Sequence, residues 1–342
     1  MTMSVFIELL QVALRSRECL SRIPDVAEWE LIYDEAERQA VLGIMLDGLE
    51  RLPQEQLPPV ILKLQWIGAA RMVEAVTQQN KARSKELSAN VKVVGFNSCV
   101  LKGVAIARYY PTPMRRQCGD IDLWTFGRRK DVMAWLKRDY SIEHNVWHNV
   151  GVRMFEDVPV EIHFHPAWLY NPLCNWRLQR WLNRAGSWGD KQNDGYNVMP
   201  VKFDAVFSLL HTYRHLLAEG IGIRHIVDYY YILKALPAED RTDVVEDLKR
   251  FGMMKLAKAM MWVQREVCGA RDGLLLCEPN EKEGRFLLDE IMRGGNFGHY
   301  RKDNRKRNSV ARMCALLPHY PREVLWMAPW KLWHKGWRMV NS

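Results

Sequence analysis

The sequence predicts an α+β fold in which a small mixed sheet sits between two helical regions. Three observations carry that reading. Apolar residues recur at three- and four-residue steps through the first ninety residues or so. Short β-branched runs broken by glycine replace them at "VKVVGFNSCVLKG". Helical spacing returns after "GYNVMP". The expected divisions are a helical region over 1–90, a sheet core over 91–200, and a second helical region over 201–342 with a basic, tryptophan-rich tail.

In chain order, "SVFIELLQVALR" and the stretch Trp29 to Leu49 read as helices, and the prolines of "LPQEQLPP" break the pattern. A long helix is expected from about Val60 to Ala89. "VAIARYY" is a short helix stopped by "PTP", "DIDLWTF" a strand, and "RKDVMAWLKRDY" a helix with a charged outer face. "VWHNVGVRMFEDVPVEIHFH" reads as a hairpin turning at Glu156-Asp157. Two helices separated by Gly220-Ile221-Gly222 follow, then more helices to about Met292.

With 342 residues the chain is long for one core. It lacks any run of about 18 uncharged apolar residues, so no transmembrane segment is expected. The N-terminus is too charged and too periodic for a signal peptide. Seven cysteines, an odd number without CxxC pairing, fit reduced thiols and a cytoplasmic location. A net charge of +9 favours anionic partners: nucleotides, nucleic acid or an acidic membrane face.

Asp120 and Asp122 raise the central chemical question. On a strand they share one face, about 7 Å apart, while Ile121 and Leu123 point to the core. Like charges that close raise each other's pKa unless a cation relieves them. A divalent ion with oxygen ligands does so, and magnesium takes one or two protein carboxylates plus substrate phosphates. The bland alternative is an exposed strand end whose acids face water. A third acid comes from "VEIHFH", where Glu161, His163 and His165 alternate with apolar residues. If that strand lies beside the first, Glu161 completes an acidic triad of the kind two-metal nucleotidyl transfer requires. The two histidines could instead serve zinc or iron, but no further ligands are visible.

Lys102-Gly103 marks a strand-to-helix turn. Helix N-termini bind anions and glycine lets a phosphate approach; a lysine there opposes the helix dipole unless a polyphosphate lies between them. An ordinary turn with a solvated lysine is the alternative. Arg116, or Arg115 beside it, can extend a planar fork toward phosphate or a carboxylate, or pair as a surface arginine with Asp131 or Glu161.

Together, Lys102-Gly103, Tyr110, Arg116, Gly119, Asp120 and Asp122, followed by Glu161 and His163, resemble the uncharacterised nucleotidyltransferase family within the DNA polymerase β-like superfamily. The likeness extends to "LLHTYRHLL…RHIVDYY" and the tail. It implies a minimal nucleotidyltransferase mixed sheet with flanking helices, and a nucleoside triphosphate (NTP) as substrate. It implies Asp120, Asp122 and Glu161 as ligands of two Mg2+ (or Mn2+) ions and as catalytic residues, and Gly103 in the phosphate-binding turn. Lys102, Arg116, Gly119 and His163 would contact substrate. The acceptor is unspecified: a protein, an RNA end or a small molecule. Two departures from the superfamily pattern stand out, Val104 where serine is usual and glutamate at 161 where aspartate is common. They leave open a nucleotide-binding protein without transfer activity; an RNA-binding protein using the basic surface is a further reading.

His211, Arg214, His215, Arg224 and Asp228 either close over the site or form a polar inter-helix network with Arg224–Asp228 as an i,i+4 pair. "RKDNRKR", residues 301–307, offers weak nucleic-acid contact or is a solvated loop. Trp326, Trp330, Trp333 and Trp337 recur at helical spacing, interrupted by Pro329. Packing against the protein body is expected, with a membrane-surface helix as the alternative.

Overall fold

Asp25 caps the helix that follows it, its carboxylate accepting from the Glu28 backbone N–H while Glu28 reaches back to the Asp25 N–H. That helix is α2 (Val26–Arg38), and with α1 (Thr2–Ala13) and α3 (Leu42–Leu49) it forms the N-terminal helical layer. The computed structural model describes residues 2–186, 190–191, 194–301 and 309–341. The helical stretch expected over Trp29–Leu49 is divided between α2 and α3, because Ala40 turns left-handed (φ 57°) and ends α2.

The helix α4 (Val60–Val93) then runs for 34 residues, about 51 Å at 1.5 Å per residue. Its first half buries Trp66 and Ala70 among the helices, and its second half buries Leu87 and Val91 under the sheet. Between them Thr77, Asn80 and Ser84 are buried polar residues. Thr77 Oγ1 donates to the Arg116 carbonyl at 2.8 Å, seating the loop that leads to Asp120.

The sheet elements are β1 (Asn97–Val100), a single turn α5 (Val104–Ala107), β2 (Ile121–Phe126), α6 (Arg129–Asp139), β3 (Ser141–Asn145), β4 (Asn149–Arg153) and β5 (Val160–His163). After α7 (Pro172–Ala185) come the two-residue strands β6 (Asp190–Lys191) and β7 (Asn197–Val198). Among the described residues the strand order is β3-β4-β5-β2-β1-β7-β6. The sheet is mixed: β2 runs antiparallel to β1 and parallel to β5, and β4–β5 form the expected hairpin.

Alternation along β2 and β5 separates two faces. Ile121, Leu123, Val160 and Ile162 face an apolar cluster shared with α4 and α6. Trp124 faces the helical body, where it stacks 5.9 Å from Phe203. That body comprises α8 (Val201–Ala218), α9 (Ile223–Ala235), α10 (Ala238–Arg250), α11 (Met254–Cys268), α12 (Glu281–Gly294) and α13 (Ser309–Leu316). The glycine break between α8 and α9 is present as expected, Gly220 having φ 132°. The final helix, α14 (Pro321–Asn341), passes through Pro329 without stopping. Pro329 lies on the exposed face, so the acceptor its missing N–H abandons is free to meet water. Of the basic run 301–307 only Arg301 is described; it is buried against Glu290 at 2.7 Å, and the rest lies outside the described residues.

Candidate active site

The polar face of β2 and β5 is where the charges gather. The parallel register sets Asp122 directly opposite Glu161, and Trp124 opposite His163. His163 Nε2 lies 2.8 Å from Asp122 Oδ1 and 3.4 Å from Glu161 Oε2. One ligand atom from each of Asp122, Glu161 and His163 falls within 4.8 Å of the others, a group able to hold a metal ion. Asp120, one residue before β2, stands outside that group; it reaches the cluster through Lys102, whose Nζ is 3.9 Å from Asp120 Oδ2 and 2.8 Å from Asp122 Oδ2. Asn149 on β4, across from His163, donates to Glu161 Oε2 at 2.5 Å and fixes that carboxylate.

Asp122 is 1% exposed. A buried carboxylate is costly unless paired, and here two cations supply the pairing. Burial acts to raise the Asp122 pKa, but Lys102 and His163 outweigh it and hold the carboxyl below its ordinary value. Glu161 is lowered by the same balance, with His163 first among its partners. Burial opposes the His163 imidazolium, yet Asp122 and Glu161 overcome it and push the histidine up to about 9. Lys102 is likewise raised against its burial by Asp120 and Asp122. Its charge at the turn therefore finds its counter-ions in the carboxylates themselves, and α5 is a single turn with little dipole to oppose it.

Gly103 has φ 59° and ψ −118°, a conformation L-residues rarely adopt, and this turn brings Lys102 over the acids. Gly119 is exposed, with open space where a Cβ would stand. Lys102, Gly103, Arg116, Gly119 and Asp120 line a cleft together with Phe207 and His211 from α8 and Arg224, His225 and Asp228 from α9. The free space is about 40 Å³, well short of the several hundred Å³ that a nucleotide-sized ligand fills. Burial first, then Lys102 and the neighbouring imidazoles, drives His211 well below its ordinary pKa, so it lines the cleft uncharged.

Both arginines turn their forks to carboxylates, one of the partners expected of them, though neither pairs with Asp131 or Glu161. Arg116 is 5% exposed and gives Nε and Nη2 to Asp228 at 2.8 and 2.7 Å, so its fork is committed inside the protein. Arg115 binds Asp47, Glu50 and Glu74, and Asp131 pairs with Arg128. Arg224 donates to the Gln117 carbonyl at 2.9 Å, leaving Asp228 to Arg116 and to the Tyr110 hydroxyl at 2.6 Å. Arg214 lies away from the cleft, over Trp168. His215 meets Glu219, and His165 meets Gln179 and stacks on Trp147.

Sequence reasoning missed Asn149, Asp228 as the partner of Arg116, and His144, 3.8 Å from Glu161. Asn149 is the first residue of β4 and carries no spacing signal. Asp228 was visible only as an i,i+4 neighbour of Arg224.

No curated protein matches the chain. Among solved structures, the chain is similar to an antigenic nucleotidyltransferase-like protein from Paracoccidioides brasiliensis, at 14% identity and a TM-score of 0.33, covering 54% of this chain and 92% of that one. Residues 25–269, more than half of the sequence, match the family described as uncharacterised nucleotidyltransferase, and the chain belongs to that family.

Proposed function

We propose that the protein transfers a nucleoside monophosphate from an NTP to an acceptor hydroxyl, releasing pyrophosphate. The observation that carries this reading is the register of β2 against β5, which sets Asp122 beside Glu161 under a single lysine. The donor set suits a hard divalent cation: carboxylate oxygens dominate it, and the acids already draw two protein cations to neutralise them. Asp120, Asp122 and Glu161 would hold Mg2+ or Mn2+, which when bound neutralises phosphate charge and acidifies the attacking hydroxyl.

The remaining steps belong to the chain. Lys102, released from Asp122, turns its ammonium to the phosphates, and the Gly103 turn and Gly119 let them approach the backbone. Glu161, steadied by Asn149, accepts the proton of the acceptor hydroxyl. The acceptor oxygen forms its bond to the α-phosphorus as the bond to the bridging oxygen breaks, and pyrophosphate leaves in line. Arg116 contributes by holding the 116–119 loop on Asp228, a positioning role. The narrow cleft widens around Lys102 and the α8–α9 side chains as the ligand enters.

The test is incubation of the protein and its Asp120→Ala/Asp122→Ala variant with each α-labelled NTP, Mg2+ or Mn2+, and cell extract. Label appearing on an acceptor only with the unaltered protein supports transfer and reveals the acceptor class. The Lys102–Asp122 ion pair favours one second reading, an NTP-binding protein in which the lysine keeps metal out. Tight calorimetric binding of an NTP, with no label moved by any metal, selects it.

A further inference from the structure

We propose that the outward face of α14 docks on an anionic lipid bilayer, laying the helix in the headgroup region and tethering the protein peripherally. At 100° per residue, α14 divides into three sectors. The inner sector holds Glu323, Met327, Trp330, His334 and Trp337. It is fixed to the body: Trp330 stacks on Trp168 at 3.7 Å and 9°, Arg129 lies over Trp337, and Glu323 accepts from the Tyr170 backbone N–H at 2.5 Å.

From Leu325 onward the outer sector, about 140° wide, contains Leu325, Trp326, Pro329, Leu332, Trp333, Gly336, Met339 and Val340, without a charge; Arg322, in the first turn of the helix, shares its direction. Most of the sector faces away from the body: Leu325 is 65% exposed, Leu332 73%, Met339 71% and Val340 85%, while Trp333 on its border meets Trp147 edge-on at 5.8 Å. The third sector, along one border of the apolar face, holds Lys331, Lys335 and Arg338, all exposed. Glu323 is the sole acid of α14 and is buried.

An apolar face that runs uncharged from Leu325 to Val340 is more than scattered exposed side chains require. Its composition decides the occupant. Tryptophan and leucine on one face with lysine and arginine beside it is the pattern of a helix lying in a membrane interface, where long basic side chains reach up to headgroup phosphates. A second copy of the chain fits less well. Pairing along this face would bring Lys331, Lys335 and Arg338 of two helices together with no exposed acid to answer them, and would place Pro329 and Gly336 in the seam, where large apolar side chains are needed. No helix among the described residues is long and apolar enough to cross a membrane, so the attachment is to the surface.

The full chain is co-sedimented with sucrose-loaded vesicles of phosphatidylcholine alone and of phosphatidylcholine with 30–40% phosphatidylglycerol (about one lipid in three, to set a surface potential). Binding to the anionic vesicles at least about tenfold tighter than to the neutral ones, weakened by salt, is expected. Leu332→Asp/Met339→Asp should weaken it about tenfold or more, and Lys331→Glu/Lys335→Glu/Arg338→Glu should abolish the preference for anionic lipid. Both sets lie off the inner sector, and unchanged circular dichroism and melting confirm that the fold stands. Failure to sediment with either vesicle overturns the proposal. So does binding that both variant sets leave intact. Light scattering that shows a dimer, broken by Leu332→Asp/Met339→Asp, together with no vesicle binding, assigns the face to a second copy instead.

Discussion

Asp228→Ala should destabilise the protein far more than removal of a surface charge. The carboxylate accepts two hydrogen bonds from Arg116, at 2.8 and 2.7 Å, and one from Tyr110 at 2.6 Å. Arg116 and Asp228 are 5% and 8% exposed. Without Asp228 the guanidinium keeps only the Gln117 carbonyl at 3.3 Å and the Cys118 sulfur at 3.5 Å. Stranding one member of a buried pair costs about 3–5 kcal/mol, a large share of the roughly 5–15 kcal/mol that holds a protein folded. Urea unfolding followed by tryptophan fluorescence measures it. Arg116→Met/Asp228→Leu should recover about 2 kcal/mol or more over the sum of the single losses, because neither charge is then left alone. A loss below about 1 kcal/mol in Asp228→Ala, or strictly additive single losses, would refute the argument. The pH dependence has a definite sign. Burial tends to raise the Asp228 pKa, but Arg116 outweighs it and holds the carboxyl below its ordinary value. The stabilisation is therefore complete above about pH 4, the unfolded value, and is lost as pH falls further through the folded value. The gap between wild type and Asp228→Asn should narrow over that acid range.

Gly103→Ala should cost about 1–2 kcal/mol from backbone strain alone, since its Cβ would meet nothing closer than the Asp120 carbonyl at 3.6 Å; an unchanged melt would show that the turn relaxes freely. Mg2+ or Mn2+ should raise the melting temperature, with about 2.7 kcal/mol of stabilisation at one hundred times the dissociation constant. Asp122→Asn should remove that shift, and an equal shift in both proteins would locate the ion elsewhere. Trp330→Ala should cost about 2–4 kcal/mol through the lost stack on Trp168, read as a drop in thermal midpoint. Thr77→Val should cost about 1 kcal/mol by leaving the Arg116 carbonyl only the weak Cys118 thiol donor at 3.6 Å, measured in the same way.

The strand pair that gathers the acids was legible because both strands obey a two-residue period over several residues, and the hairpin between β4 and β5 placed Glu161. The strand β3 was not, since "SIEHN" is a half-exposed edge strand whose polar residues break the alternation. The strands β6 and β7 have two residues each, too few for any period. The structural duty of Arg116 was hidden for another reason: its partner lies 112 residues away, and a guanidinium carries the same letter whether it holds a phosphate or a carboxylate. The count of partners around Lys102 depends on how β1 and β2 lie together, which spacing along the chain does not encode. The tail was half legible. Helical spacing of the tryptophans gave the helix, but only packing shows that Trp330 and Trp337 turn inward while Leu332 and Met339 do not.

The rod α4 has a consequence for how the molecule comes apart. Its two ends are gripped by different apolar clusters, and its middle carries the hydroxyl that seats the loop leading to Asp120. Melting of either cluster frays the same rod, so the other loses its anchor and the loop loses its seat in one event. Partial unfolding therefore takes the acidic site with it, and the protein should fail as a unit rather than lose its parts in turn.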